Sequence, residues 1–263
     1  MPIQPLSSLQ NPRVKLARSL ESRKGRKAAG MFLVEGTKLL GEALTWGQSP
    51  VMTFATADWW RAHAALAPFS ILTGERYEVS AHVLAAIATT ETPDPVVAVL
   101  PLPEPAPLAL PANALVAIAH RLQDPGNLGT LIRAADAAGA TAVLVTDQTV
   151  DPYAPKTVRA SMGSLFHLPI AREPLAEFRA RHPQLPVAAL TLGADSSLYA
   201  HDYRGGVAFL IGNEGAGLSA EDEAYATWRV KIPMPGHAES LNAAMAATIC
   251  LYEAVRQRQT LHS

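Results

Sequence analysis

Five apolar runs in the second half of the chain are continuous rather than alternating: Ala114 to Ala119, Thr141 to Thr146, Val187 to Thr191, Val207 to Gly212 and Arg229 to Met234. Strands buried on both faces of a parallel sheet read this way, whereas a half-solvated strand alternates with period two. Helical stretches separate the runs, so the pattern predicts a mostly parallel α/β sheet. Polar insertions rich in Gly, Asn, Ser and Glu follow three of them: DPGNLGTLIR from Asp124, LIGNEGAGLS from Leu210 and IPMPGHAESLNAA from Ile232. In an open α/β sheet the loops leaving the carboxyl ends of strands form the ligand crevice, so these three are expected to converge on one site.

The first half reads as a smaller α/β unit: strand FLVEG, helix TKLLGEALTWG, strand VMTFAT, helix ADWWRAHAAL and, after further short elements, strand VVAVL at Val96 to Leu100. Prolines then crowd together at Pro101, Pro103, Pro105, Pro107 and Pro111. That composition favours an extended, semi-rigid connection. The expected organisation is therefore a domain over residues 1–100, a linker over 101–112 and a second domain over 113–263.

With 263 residues, 49% of them hydrophobic, the chain can fill a core for two domains. A single cysteine, Cys250, excludes an internal disulfide. No secretory leader follows Met1, and no run approaches the roughly 20 apolar residues of a membrane span, so a cytoplasmic protein is the expectation. The net charge is only −1, yet Arg13, Lys15, Arg18, Arg23, Lys24, Arg26 and Lys27 fall within fifteen residues that contain one carboxylate, Glu21. Such a segment is either the solvated side of a helix or a surface for phosphates.

In the first loop, Asn127 follows a turn signal and is expected to cap the helix that ends at Gly139. Leu128, Leu131, Ile132, Ala135 and Ala138 form one stripe of that helix, with Gly129, Arg133 and Asp136 opposite. Gly129, one turn before Arg133, leaves room for something to approach. The second loop, GNEGAG, offers backbone N–H groups without side chains in the way. In the third, Ser240 is expected to cap the last helix. That helix has a broad apolar stripe through Leu241, Ala244, Met245, Thr248, Leu251, Tyr252 and Val255, and a small-residue face of Ala243, Ala246, Cys250 and Ala254. Two such faces suggest packing on the helix's own sheet and on another subunit.

Taken together, N-x-G-x-x-x-R (Asn127, Gly129, Arg133), the G-N-E-G-x-G loop from Gly212, and P-M-x-G followed by Ser240-Leu241-Asn242 resemble the three motifs of the SpoU, or TrmH-like, RNA ribose 2′-O-methyltransferases. The segments NPRVKLARSL, FLVEGTKLL and TETPDPVVAVL are similar to that family's small substrate-binding domain. The resemblance implies an L30e-like amino-terminal α/β domain, a carboxyl-terminal mostly parallel α/β domain with a trefoil knot, a homodimer, and S-adenosyl-L-methionine as cofactor. By motif position it places Arg133 at the reacting ribose with Asn127, Glu214, Ser240 and Asn242 around it. It places cofactor contacts at Thr191, Gly193, Gly212, Ile232 and Leu241, and a substrate contact at Arg159. Arg13, Lys15, Arg23 and Lys24 are the expected RNA contacts of the basic segment.

The implied reaction moves a methyl group from a sulfonium to a ribose hydroxyl of a structured RNA, with ribosomal RNA favoured over transfer RNA by analogy. A guanidinium is a poor base, so Arg133 is expected to stabilise a developing alkoxide and grip a phosphate. The eight histidines lack ligand spacing, so no metal is expected, and His120 and His237 near the loops read as structural or RNA-contacting. Alternatives remain: a non-catalytic RNA-binding or ribosome-assembly protein on the same fold, or a transfer-RNA ribose methyltransferase. A nicotinamide-dependent oxidoreductase would rest only on Gly215, Gly217 and Ala220, a fingerprint lying too near the carboxyl end for that role.

Overall fold

The computed structural model describes residues 2–259. Met1 and residues 260–263, the outer ends of the two expected domains, lie outside the described residues. The chain forms two compact units, one taking in residues up to Glu104 together with Tyr153–Phe166, the other Pro105–Pro152 and the residues from His167 onward.

The first unit holds β1 (Ile3–Leu6), α1 (Pro12–Ser19), α2 (Arg23–Ala29), β2 (Met31–Glu35), α3 (Thr37–Thr45), β3 (Met52–Ala55), α4 (Ala57–His63), β4 (Glu75–Val79), α5 (Ala81–Ile87) and β5 (Val96–Pro101). Its mixed sheet has the order β1-β4-β3-β5-β2, in which β5 runs antiparallel to both β2 and β3. Helix α1 turns Val14 and Ala17 into the core beside Leu33, Phe54, Val97 and Val99, leaving Lys15 and Arg18 in water. The basic segment is thus an amphipathic helix pair.

In the second unit, β6 (Leu115–Ala119), α6 (Pro125–Ala137) and β7 (Ala142–Val145) come first. The chain next contributes α7 (Pro155–Ala160) to the first unit. It then builds β8 (Ile170–Arg172), α8 (Leu175–Arg181), β9 (Val187–Leu190), the two-residue β10 (Ser196–Ser197), β11 (Val207–Ile211), α9 (Ala220–Glu223), β12 (Trp228–Lys231) and α10 (Ala243–Gln259). The sheet order is β10-β12-β9-β11-β6-β7-β8 and every pairing is parallel. Every residue of β6, β7 and β11 is buried, which is what their unbroken apolar sequences demand.

The non-sequential insertion of β11 between β6 and β9 is consistent with the trefoil implied by the resemblance. Strand β12 stops at Lys231 rather than Met234, since Pro233 and Pro235 cannot donate to a sheet ladder. Within the proline-rich stretch, Leu108 is buried and Leu110 partly so in the second unit's core, so its distal half is docked.

Candidate active site

The order β12-β9-β11 sets three carboxyl ends side by side, and a cavity of about 400 Å³ opens where they stop. Its walls come from Leu190, Thr191 and Leu192 at the end of β9, Ile211 to Leu218 at the end of β11, and Lys231, Ile232 and Met234 at the end of β12. Glu239, Ser240, Leu241, Ala243 and Ala246 close it from the start of α10. Thr191, Gly212, Ile232 and Leu241 therefore meet in one place, as do Glu214 and Ser240. Gly193 is not part of the wall. Leu190, Leu192, Met234 and Glu239 were not singled out in the sequence; the signal that could have found the first three is their position at or just beyond strand ends, and for Glu239 its place next to Ser240 ahead of the last helix.

The second loop departs from expectation. Asn213 and Gly217 exchange backbone hydrogen bonds of 3.2 and 3.0 Å, and the N–H groups of Gly215 and Ala216 donate to Asn213 Oδ1 at 2.9 and 3.0 Å. These donors satisfy the loop itself rather than standing open to a ligand, because an Asn side chain at the head of a tight turn competes for them. The loop is a shaped wall.

Hydrogen bonds tie the three loops together. Asn242 Oδ1 accepts from the N–H groups of Ala244 and Met245 at 3.0 and 3.2 Å, which makes Asn242, not Ser240, the cap of α10. With that oxygen engaged, Asn242 Nδ2 donates to Asn127 Oδ1 at 2.8 Å, and Asn127 Nδ2 donates to Glu214 Oε1 at 3.0 Å. Asn127 is not a cap either: α6 begins two residues earlier with Pro125, and Asp124 accepts from the Asn127 N–H at 2.9 Å. A Pro at the first helical position pulled the start of the helix forward.

Glu214 also accepts from the N–H groups of Gln123 and Asp124 at 3.1 and 3.2 Å, so its carboxylate sits where α6 begins. Desolvation pushes this carboxyl up, but hydrogen bonds from Asn127 and from backbone N–H groups outweigh it and hold Glu214 below the usual carboxylate range. A carboxylate held low stabilises the fold above its unfolded-state pKa and loses that contribution as pH falls through the folded-state pKa. Glu214→Gln is thus expected to melt earlier than the unaltered protein near neutral pH, with the gap narrowing in acid. Calorimetry across that range checks this, and a gap independent of pH would remove the clamp.

The outer face of α6 is as expected in part. Leu128, Leu131, Ile132 and Ala135 are buried and Gly139 has the left-handed φ of +66° that ends a helix. Gly129, however, is buried rather than open, so the space beside Arg133 is not the gap its missing side chain suggested. Arg133 is exposed, and no hydrogen bond or ion pair engages it among the described residues. On α10 the small residues Ala243, Ala246, Cys250 and Ala254 are buried, while Met245 and Tyr252 are 60% and 45% exposed. Small side chains let the helix approach α6 and β11 closely, and the larger ones are left outside.

The expected RNA contacts lie in the first unit. Arg13 pairs with Glu75 at 2.6 Å, while Lys15, Arg23 and Lys24 are exposed. Arg26 is buried and donates to the carbonyls of Leu20 and Glu21 at 2.9 and 2.7 Å, so it fastens the α1–α2 turn rather than facing a ligand. Arg159 donates to Thr89 Oγ1 at 2.5 Å and lies 3.4 Å from buried Glu35. His120 is buried against Asp222. Among the described residues no group of three or more His, Cys, Asp or Glu side chains could hold a metal ion, and no helix is long and apolar enough to cross a membrane.

Comparison with known proteins finds relatives over nearly the whole chain. Residues 114–252 match the model of the SpoU rRNA Methylase family, and residues 11–98 match an MRM3-like substrate binding domain. An uncharacterized tRNA/rRNA methyltransferase of Synechocystis sp. is 39% identical over 96% of this chain and 94% of its own length. The 23S rRNA (guanosine(2553)-2′-O)-methyltransferase RlmP of Bacillus subtilis is 36% identical over 94% of this chain and 97% of its own. The crystal structure of an AdoMet-bound rRNA methyltransferase from Sinorhizobium meliloti superposes with a TM-score of 0.87 at 35% identity, covering 97% of this chain and 98% of that one.

Proposed function

The chain belongs to the SpoU rRNA methylase family, and from that premise we propose that it transfers a methyl group from S-adenosyl-L-methionine to a ribose 2′-hydroxyl of ribosomal RNA. The observation that carries this reading is the cavity where three parallel strands end, walled by Thr191, Gly212, Ile232 and Leu241 and adjoined by the Glu214–Asn127–Asn242 chain. Its volume falls in the range of about 300–1,000 Å³ usual for small-molecule sites. Apolar walls suit an adenosine.

The cofactor supplies an electrophilic methyl group when bound. What remains for this chain is to hold the pocket in shape, orient the hydroxyl and stabilise charge on its oxygen as the proton passes to solvent. Asn127, Glu214 and Asn242 have their polar atoms committed to one another and to backbone, so they act as positioning residues. Ser240 lines the cavity and is released from capping, which supports its role as a hydrogen-bond partner of the ribose. A guanidinium is a poor base, so Arg133 serves as an electrostatic group for the alkoxide and a neighbouring phosphate.

Exposed Lys15, Arg23 and Lys24 on α1 and α2 supply a sequence-independent hold on RNA phosphates, with Arg159 as a further contact. A homodimer is supported by the exposed Met245 and Tyr252 on α10 beside α6, the helix that also carries Arg133. The test is a map of 2′-O-methyl positions in total RNA from cells with and without the gene. One ribosomal RNA ribose losing its methyl group is the expected result, whereas unchanged ribosomal RNA with a lost transfer-RNA methyl group would overturn the substrate assignment. An unchanged map of both would favour an RNA-binding protein without transfer activity.

A further inference from the structure

Arg121, just past the carboxyl end of β6, has a φ of +56°, a left-handed backbone that a side chain disfavours. Its carbonyl accepts from Asn213 Nδ2 and from Gln123 Nε2, both at 2.9 Å. Its guanidinium donates to Asp222 Oδ2 at 3.2 Å. Asp222 is buried, and the same oxygen accepts from the Ser219 hydroxyl at 2.6 Å and the Ser219 N–H at 3.1 Å. Behind it, His120 Nε2 lies 3.0 Å from Asp222 Oδ1, off the line of a good hydrogen bond, and His120 Nδ1 is 2.9 Å from Thr146 Oγ1.

Asn213 and Ser219 are the two ends of the loop whose residues Asn213 to Leu218 wall the cavity. One residue therefore touches both ends, the first through its carbonyl and the second through Asp222. Burial pushes the His120 imidazole below its usual range against the opposing pull of Asp222, so the packing behind the loop is a neutral ring on a carboxylate near neutral pH. Of these residues only Asn213 lines the cavity; Arg121, Asp222, Ser219 and His120 act through the loop.

We propose that Arg121 is a positioning residue for the methyl-donor pocket: its left-handed backbone aims the carbonyl that holds Asn213, and its guanidinium, seated on Asp222, keeps the backbone in that state. This rests on the reading of the cavity as the S-adenosylmethionine site. The conformation, more than the side chain, sets the loop. Glycine reaches positive φ freely, alanine less so, and β-branched valine least.

The test is calorimetric binding of S-adenosylmethionine to full-length Arg121→Gly, Arg121→Ala and Arg121→Val, with melting temperatures and steady-state kinetics measured alongside. Glycine is expected to bind within about threefold of the unaltered protein, valine about tenfold or more weakly, and alanine between them, with KM for the donor rising while kcat is kept. Alanine against glycine decides the matter if valine does not fold. A merely structural role would lower melting temperature and active fraction while leaving the affinity of the folded fraction flat across the series. A flat series, or glycine binding as weakly as valine, overturns the inference alone. Failure of the unaltered protein to bind the donor would instead bring down the functional reading and the inference with it.

Discussion

Arg133→Lys is expected to lower turnover by about two to three orders of magnitude, the loss typical when one preorganised donor to a developing oxyanion is removed. S-adenosylmethionine affinity should stay within about twofold, because Arg133 is not part of the cavity wall. Lysine keeps the positive charge, so the experiment isolates the planar fork, which can address an alkoxide and a phosphate oxygen together where an ammonium is a point charge. Arg133 is exposed and unengaged among the described residues, so stability should move by no more than about 0.5 kcal/mol. Single-turnover kinetics with calorimetry of the donor complex separates the two quantities. Near-full turnover in the lysine variant would make the fork unnecessary and return Arg133 to a general electrostatic role.

The second large effect is expected at Gly212, at the end of β11. A Cβ there would sit 2.7 Å from the carbonyl carbon of Gly217, 2.8 Å from its oxygen and 2.9 Å from Leu218 Cδ2. Two of the three atoms are backbone of the loop's returning limb, which is held by the exchange between Asn213 and Gly217. Relief must therefore come from opening the loop, and the donor wall opens with it. Gly212→Ala should raise the donor dissociation constant at least about tenfold and destabilise the fold by roughly 1–3 kcal/mol, as overpacking does.

Gly236 supplies the control. It belongs to the third motif, yet a Cβ there meets nothing within 4 Å. Gly236→Ala should bind the donor as the unaltered protein does. If both alanine variants behave alike, the steric argument fails and the motif glycines matter for another reason.

How much of this was legible beforehand follows from the range over which each feature is decided. Strand and helix types came through because periodicity is local: the unbroken runs at Ala114, Thr141 and Val207 fall in strands buried along their whole length. The caps did not. Asn127 and Ser240 each have the right chemistry, but the helices start at Pro125 and Ala243, where Asp124 and Asn242 reach the free N–H groups instead. Both misplacements free a polar side chain for the site: Asn127 joins Asn242 to Glu214, and Ser240 reaches the cavity wall. Gly129 and Arg26 went astray for a related reason, since whether a small or charged residue is buried depends on what folds over it.

Taken alone, the order of residues determined the α/β class, the grouping of three polar loops at strand ends and the residue types available there, because hydrophobic period and turn chemistry act over a few neighbouring positions. Only the tertiary structure decided that β9 lies between β12 and β11, that Asn242 finds Asn127 across 115 positions of chain, and that Arg121 holds a backbone few side chains accept. Those outcomes depend on pairings between distant segments, whose register follows from the packing of the whole sheet and its helices and not from any local pattern.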